Sequence, residues 1–233
     1  MHAITRGLFA VLLVAAVSAP FACAQTQPTG IAVSETATIN AKPDLAVVAF
    51  GVTTQDRDPN AAARANANTT TSLIKAITEF GIPKKDIETI RYQVTPMMDY
   101  SKPGGPVITG YQVSNVVNVK ERDLTKVGQL IDVGVKAGAN NVQDVAFTIE
   151  EPSPIRSRAL VEAIGKAKAK AQIIADNLGV KLGKVTYASE SVNFVPRPME
   201  GPMFARAAQA APTPILPGDV EVSATINVTY AIL

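Results

Sequence analysis

The chain has 233 residues, of which 47% are apolar and 18% are charged, and its formal net charge is +2. This composition is too hydrophobic and too weakly charged for a disordered protein. The near balance of charge gives no basic surface for nucleic acid and no acidic tail. A globular protein with a substantial core is therefore expected.

The N-terminus has the parts of a secretory signal. A polar start is followed by an apolar run over 7–17 and by the small-x-small pattern Ala-Cys-Ala at 22–24, which signal peptidase cuts. The sequence predicts a signal peptide over 1–24 and an exported mature chain that begins at Gln25. The apolar run is shorter than the roughly 20 residues of a membrane span. A lipoprotein acylated at Cys23 is the alternative, although the residues before that cysteine do not favour it.

The mature chain lacks the residue types of many enzyme sites. The sequence has one Cys and one His, at Cys23 and His2, and both lie in the predicted signal peptide. No thiolate nucleophile, imidazole base or zinc site of Cys and His is then available. We therefore expect no disulfide, no cofactor and no enzymatic activity.

The first elements are two strands and a helix. Apolar and polar residues alternate over 31–40, which predicts a half-buried strand, and 45–52 is apolar on both faces, which predicts a central strand. Asp58 and Pro59 supply the N-cap and first turn of a helix that ends at Gly81.

A hairpin and a second helix follow. Strands around 89–94 and 111–119 are joined by the turn residues 101–106. Asp123 is placed to cap a helix that stops near Gly138. The pattern of helix, glycine and strand thus repeats along the chain.

The last third contains a strand over 145–149, the longest helix from Ser153, and two closing strands over 184–190 and 220–232. A proline-rich segment over 195–218 predicts a loop insertion in a single domain, 25–233. The helix carries a predicted apolar stripe of Leu160, Ile164, Ala167, Ala171, Ile174 and Leu178.

The element order is β-β-α-β-β-α-β-α-β-β. It predicts an α+β fold of repeated split β-α-β units, with a mainly antiparallel sheet and helices packed on one face. The other face is expected to be rich in Thr, Ser, Asn and Gln, and therefore to be either hydrated or a subunit interface.

Four methionines of the mature chain are the candidate metal ligands. Met97 and Met98 lie beside one loop, and Met199 and Met203 lie within the proline-rich segment. Thioethers bind copper(I) and are reversible targets of oxidants. The alternative is a flexible apolar patch against another subunit or a membrane, and this is favoured because no other soft ligand is available.

Two acidic groups are candidate acid-base pairs, Glu150 with Glu151 and Asp56 with Asp58. Both groups lie where a strand leads into a helix, and carboxylates at that position usually cap the helix N-terminus. Capping is therefore the favoured interpretation, and no catalytic residue is assigned.

Lysines and glycines of the helices receive structural interpretations. Lys166, Lys168 and Lys170 are expected on a solvated or subunit-facing surface, and they lack the interleaved aromatic residues of a nucleic-acid platform. Gly128 and Gly134 match no phosphate-binding motif and are expected to permit close packing.

Several stretches resemble one family of proteins. They are 31–35, 41–44, 119–128 with its continuation to Phe147, and the helix over 159–178. Together with the closing strand, they make the chain similar to the SIMPL-domain family of bacterial periplasmic proteins, over essentially 30–233. Its secretion signal and overall plan resemble the periplasmic immunogenic, outer-membrane-associated antigens of that family.

The resemblance implies a secreted α+β protein, an association with oxidative-stress tolerance, and assembly into rings or channels in at least some members. It supplies no catalytic or cofactor residue. We therefore expect a non-enzymatic homo-oligomer, with outer-membrane association and no nucleic-acid partner or small-molecule substrate. The alternative is a small-ligand or copper(I)-binding module that uses the four methionines.

Overall fold

The structure, a computed structural model, describes residues 30–195 and 214–233. The predicted signal peptide and most of the proline-rich segment lie outside the described residues. Within them, the order of elements is the predicted one. The strands are β1 (Ile31–Ala41), β2 (Leu45–Asp56), β3 (Ile87–Asp99), β4 (Val107–Glu121), β5 (Asn141–Thr148), β6 (Leu182–Val195) and β7 (Val220–Ile232), and the helices are α1 (Pro59–Phe80), α2 (Val127–Lys136) and α3 (Ser153–Leu178).

The predicted α+β class and antiparallel pairing are confirmed, and the described strands are divided between two sheets. Sheet A has the order β1-β7-β6, and sheet B has the order β3-β4-β2-β5. In sheet B, β4 lies between β2 and β3, and helix α1 connects these two strands. In the same way, β2 lies between β4 and β5, which helix α2 connects. These are two split β-α-β units.

Helices α1 and α2 cover one face of sheet B. Phe50 of the central strand β2 is fully buried among Leu73 and Ile77 of α1 and Leu130 of α2. A Cβ atom added at Gly134 would lie 2.2 Å from Cε1 of Phe50. The predicted role of Gly134, to permit close packing, is therefore confirmed.

Polar side chains fix the position of α1. The predicted N-cap is confirmed, because the Asp58 carboxylate accepts a hydrogen bond from the backbone N–H of Asn60 at 2.8 Å. Asn66 is fully buried, and its amide donates to the carbonyl oxygens of Val52 and Val113. Helix α1 is thus held over β2 and β4.

Helix α3 covers β1 and β7 of sheet A, and its buried side matches the predicted stripe in part. Ala167 and Ala171 are buried, and Leu160 and Ile174 pack partly buried against the same core. The other two residues of the stripe are exposed. Ile164 is 44% exposed and Leu178 is 65% exposed. Alanines approach the sheet instead, because their small side chains let the helix lie close to the strands, while the larger side chains flank this contact. The buried residues of α3 are Ala159, Ala163, Ala167, Ala171 and Ala175.

The two sheets are joined where β1 passes into β2. The backbone N–H of Asp44 donates to the carbonyl oxygen of Thr148 at 3.1 Å, and its carboxylate accepts from the backbone N–H of Glu150 at 2.8 Å. Ile149 is buried beside Val220 at the start of β7. This junction connects β5 of sheet B to α3 over sheet A.

Candidate interaction surfaces

The hairpin of β3 and β4 carries the most concentrated exposed apolar surface of the described residues. Helix α1 packs over β2 and β4 and barely reaches β3, the edge strand of sheet B. On the helix side of β3, Tyr92 is 55% exposed and Val94 is 45% exposed. The exposed large apolar residues of this hairpin are Ile90, Tyr92, Val94, Met98, Tyr100, Val107 and Ile108.

The register places three of these side chains, Tyr92, Val94 and Met98, in one row. Val94 lies opposite Val113, and Met98 lies opposite Ile108. Because side chains of directly opposed residues share a face, the row from Tyr92 to Met98 forms a strip beyond the end of the helix layer. Exposed apolar surfaces of this kind mark contact sites. Neither the periodicity nor the composition shows that the helices leave this row uncovered.

The free edge of β3 is interrupted. Among the described strands β3 pairs only with β4, so its outer edge presents unpaired backbone groups. Pro96 lies within this strand and has no N–H to donate. A continuous ladder along this edge is therefore blocked, and the apolar face is the better contact surface.

Sheet A has the polar face expected from the sequence. On the side away from α3, Ser34 lies opposite Asn227, and Thr36 lies opposite Thr225, with 2.8 Å between the two Thr hydroxyl oxygens. β6 adds Tyr187, which is 58% exposed. This face is uncharged along its middle and hydrogen-bonds readily to water.

An ion cluster links three elements of the chain. Arg122, at the end of β4, binds the carboxylate of Asp86 at 2.7 Å and also binds Glu150. Asp86 is buried, with 6% of its surface exposed, and it lies in the turn of 3₁₀-helix before β3. The cluster therefore ties the base of the hairpin to the junction between the sheets.

Charge-assisted hydrogen bonds shift the ionisation of the cluster. The Arg122 guanidinium lowers the pKa of Asp86, against a smaller opposing effect of burial, and it lowers the pKa of Glu150 in the same way. Hydrogen bonds from the guanidinium to Glu150 and Asp86 raise the pKa of Arg122. All three groups are thus held charged.

The cluster corrects the interpretation of Glu150 as a helix cap. The N-cap of α3 is Pro152, and no side chain bonds to that end of the helix. Glu150 binds Arg122 instead, because a bidentate ion pair is stronger than a hydrogen bond to one neutral N–H. The predicted cap Asp123 accepts from the backbone N–H of Thr125 at 3.2 Å, and it caps the short 3₁₀-helix that leads into α2, whose own N-cap is Lys126.

The candidate methionine ligands are not brought together in the described residues. Met97 and Met98 are adjacent in β3, where successive side chains point to opposite faces, and they lie opposite Gly110 and Ile108. This is not the arrangement of a chelating pair. Met199 and Met203 lie outside the described residues.

The lysines of α3 lie on the exposed surface, as expected. Lys166 is 2.8 Å from Glu162 of the same helix, and Lys170 binds Glu35 of β1. Lys168 is exposed without an ion pair among the described residues. The three lysines therefore form a solvated surface with local pairing.

Neither a metal centre nor a membrane-spanning helix is found among the described residues. No three or more of their His, Cys, Asp and Glu side chains are arranged to hold a metal ion. None of their helices combines the length and the apolar character that crossing a membrane requires.

The fold and these surfaces define a class. It is an α+β protein with two antiparallel sheets: sheet B, built of two split β-α-β units, carries α1 and α2 on one face, and sheet A carries α3 on one face. The chain belongs to the SIMPL family, described as "Protein of unknown function (DUF541)", which matches residues 31–230.

Relatives extend the similarity over most of the chain. The 26 kDa periplasmic immunogenic protein of Brucella melitensis is 33% identical over 235 aligned positions, which cover 95% of this chain and 94% of the relative. The protein of the same name from Brucella abortus matches equally well. "Uncharacterized protein YggE" of Escherichia coli is 32% identical over 179 positions, or 76% of this chain and 72% of the relative.

Proposed function

We propose that this protein is a periplasmic, non-enzymatic protein that works as a homo-oligomeric assembly in the cell envelope. The compartment is supported by two relatives that match along 95% of the chain and are named periplasmic immunogenic proteins. It is also supported by the signal peptide predicted over 1–24, which targets a chain for export.

The observation that carries the assembly is the exposed apolar row on β3. Full burial of a large apolar side chain contributes about 1.5–3 kcal/mol, so covering Tyr92, Val94 and Met98 favours association even from their half-exposed state. Covering the polar face of sheet A contributes less free energy to association, because its hydroxyl and amide groups must exchange hydrogen bonds to water for hydrogen bonds of equal quality to the partner. The hairpin is therefore the proposed contact between copies.

The non-enzymatic part rests on the chemistry of the available side chains. Beyond residue 24 the sequence contains no Cys and no His. Two carboxylates of the candidate acid-base pairs have structural partners, since Asp58 caps α1 and Glu150 binds Arg122. Hydrogen bonds from Arg122 lower the pKa of Glu150, which does not suit a proton donor.

Solution mass tests the assembly. Multi-angle light scattering of residues 25–233 is expected to give a defined multiple of the protomer mass, and Tyr92→Ser is expected to lower it. Tyr187→Ser is the matched control, because Tyr187 is equally exposed but lies on the polar face of sheet A. A protomer mass for the unaltered protein at tens of micromolar would contradict the proposal.

Outer-membrane association and stress tolerance belong to the same proposal and rest on the family resemblance. A strain lacking the protein is expected to lose survival in peroxide, and the unaltered protein is expected to restore it. If the assembly is the active form, Tyr92→Ser restores survival less well than Tyr187→Ser. Equal restoration by both variants would separate the stress role from the assembly.

A further inference from the structure

We propose that the exposed face of sheet B contains a binding groove for a short, unblocked peptide in extended conformation. The groove has a volume of about 620 Å³ and lies on the side of the sheet away from α1 and α2. This inference does not depend on the assembly. The residues that line it are Val47, Ala49, Ile90, Asn118, Gln143, Asp144, Ala146 and Thr148.

Two β-bulges make this face concave. The pairing of β3 with β4 skips Ile90, and the pairing of β5 with β2 skips Gln143. Both bulged residues line the groove, on opposite sides of the central strand β2. Bulges redirect side chains and are frequent beside binding sites. Here they form two walls on a face that would otherwise be flat.

The floor of the groove is formed by small apolar residues. It is formed by Val47 and Ala49 of β2, and Gly51 continues it along the same strand. An added Cβ atom at Gly51 would lie 3.4 Å from Nε2 of Gln143, so this amide reaches over the floor. A ligand here meets small apolar side chains below and amide groups at its sides.

The rim supplies hydrogen bonds that the described chain does not use. Asn118 and Gln143 make no side-chain hydrogen bond with another described residue. Carboxamides both donate and accept, which matches the N–H and C=O groups of a peptide backbone. Two such groups on opposite walls favour an extended peptide over a purely apolar ligand.

Two charged side chains are placed to bind the two ends of the peptide: Asp144 lines the groove, and Lys120 lies just beyond its lining residues. Asp144 lies beside Ala49 on β5, and Lys120 lies beside Val47 on β4, one row further along. Neither forms an ion pair with another described residue. Their backbones are roughly 12 Å apart, given the spacing of strands and residues in a sheet.

This separation selects the length of the peptide. An extended chain spans about 3.3–3.6 Å per residue, so three residues span roughly 10 Å. The peptide ammonium would bind Asp144, and its terminal carboxylate would bind Lys120. Two other charges near this rim, Glu88 and Arg91, lie on β3 beyond Asn118 and Val116 and are further from β5. Asp86 and Glu150, which Lys120 also influences, are bound by Arg122.

Isothermal titration calorimetry of the purified protein with trialanine tests the proposal. Asp144→Asn and Lys120→Gln are each expected to weaken binding about threefold, because each removes one exposed ion pair with an end of the peptide. Acetylation and amidation of the two peptide ends should weaken binding similarly. The matched controls Asp219→Asn and Lys184→Gln are exposed and outside the groove, and should leave binding unchanged.

Three results would overturn the proposal. They are no heat of binding at about 10 mM trialanine, an affinity that both groove variants leave at the control value, or equal affinity for the blocked peptide. Ala49→Leu gives an independent check, because it fills the floor and should abolish binding. If this variant instead changes the solution mass and trialanine does not bind, a second copy covers the groove and the peptide assignment is wrong.

Discussion

Sheet B is covered by two helices whose buried side chains include Leu73, Ile77 and Leu130, whereas the buried side chains of α3 over sheet A are all alanine. The two sheets therefore bury their faces differently. Large side chains fill the space under α1 and α2, and close approach of the backbone replaces them under α3. Among the larger apolar side chains of α3, Leu160 and Ile174 pack partly buried beside this contact, and Ile164 remains at the surface.

Because of this difference, the two sheets are expected to tolerate different substitutions. A core of large side chains is most sensitive to truncation, because removal of atoms leaves a cavity. A contact of alanines is most sensitive to enlargement, because there is no space for further atoms. Truncation in sheet B and enlargement in sheet A are thus the two informative kinds of substitution.

The largest expected effect is that of Phe50→Ala. Phe50 is fully buried in the middle of sheet B and lies against Gly134 of α2. Its truncation is expected to lower the free energy of unfolding by about 3–5 kcal/mol. Denaturant unfolding followed by circular dichroism measures this, and a loss below about 1 kcal/mol would show that the cavity collapses.

The second effect is that of Ala167→Leu in α3. Ala167 is fully buried against sheet A, so the larger side chain is expected to lower stability by about 1–3 kcal/mol. Ala169→Leu is the matched control, because Ala169 is exposed on the same helix. Equal midpoints of denaturant unfolding for both variants would mean that the alanine contact is not tight.

The third prediction concerns the cluster that joins the hairpin to the junction between the sheets. The pKa values of Asp86 and Glu150 are lowered in the folded state, chiefly by hydrogen bonds from Arg122. Their stabilisation is therefore present above their ordinary pKa values and is lost as the pH falls through the lowered ones. Arg122→Gln should destabilise the protein at neutral pH.

The pH profile distinguishes this account from simple loss of packing. The difference in unfolding free energy between the unaltered protein and Arg122→Gln should shrink between about pH 5 and pH 2, where the carboxylates become protonated. Unfolding in urea at a series of pH values measures it. A difference that stays constant over this range would contradict the assigned ion pairs.

The smallest effect is expected at the surface of α3. Lys170 binds Glu35 of β1, and half of the lysine side chain is exposed. Exposed pairs typically contribute about 0.2–1 kcal/mol, so Lys170→Met should lower the thermal midpoint only slightly. A loss as large as that of Ala167→Leu would indicate that the ion pair, not the alanine contact, holds α3 on sheet A.

Local signals in the sequence predicted most of the elements. Asp58 and Asp123 were recognised as caps from their own position, and β2 was recognised as a central strand from its apolar faces. Each of these depends on neighbours within a few residues, which is the range that periodicity and capping rules describe.

Features that depend on distant neighbours were not predicted. The division into two sheets, the alanine side of α3 and the exposed row from Tyr92 are set by which elements pack together. The partners of Arg122 lie 36 and 28 positions away in the sequence. Ile90 and Gln143 are identified as residues of the proposed groove only from the register of their strands, because a bulge has no fixed sequence pattern.

We propose that copies of the protein meet through the β3–β4 hairpin. Hydrogen exchange of the unaltered protein, measured by mass spectrometry over a range of concentrations, tests this contact at the level of segments. We expect exchange in residues 90–98 to slow as concentration rises, while exchange in the buried strand β2 stays the same. A solution mass that rises with concentration while exchange in 90–98 is unchanged would contradict it.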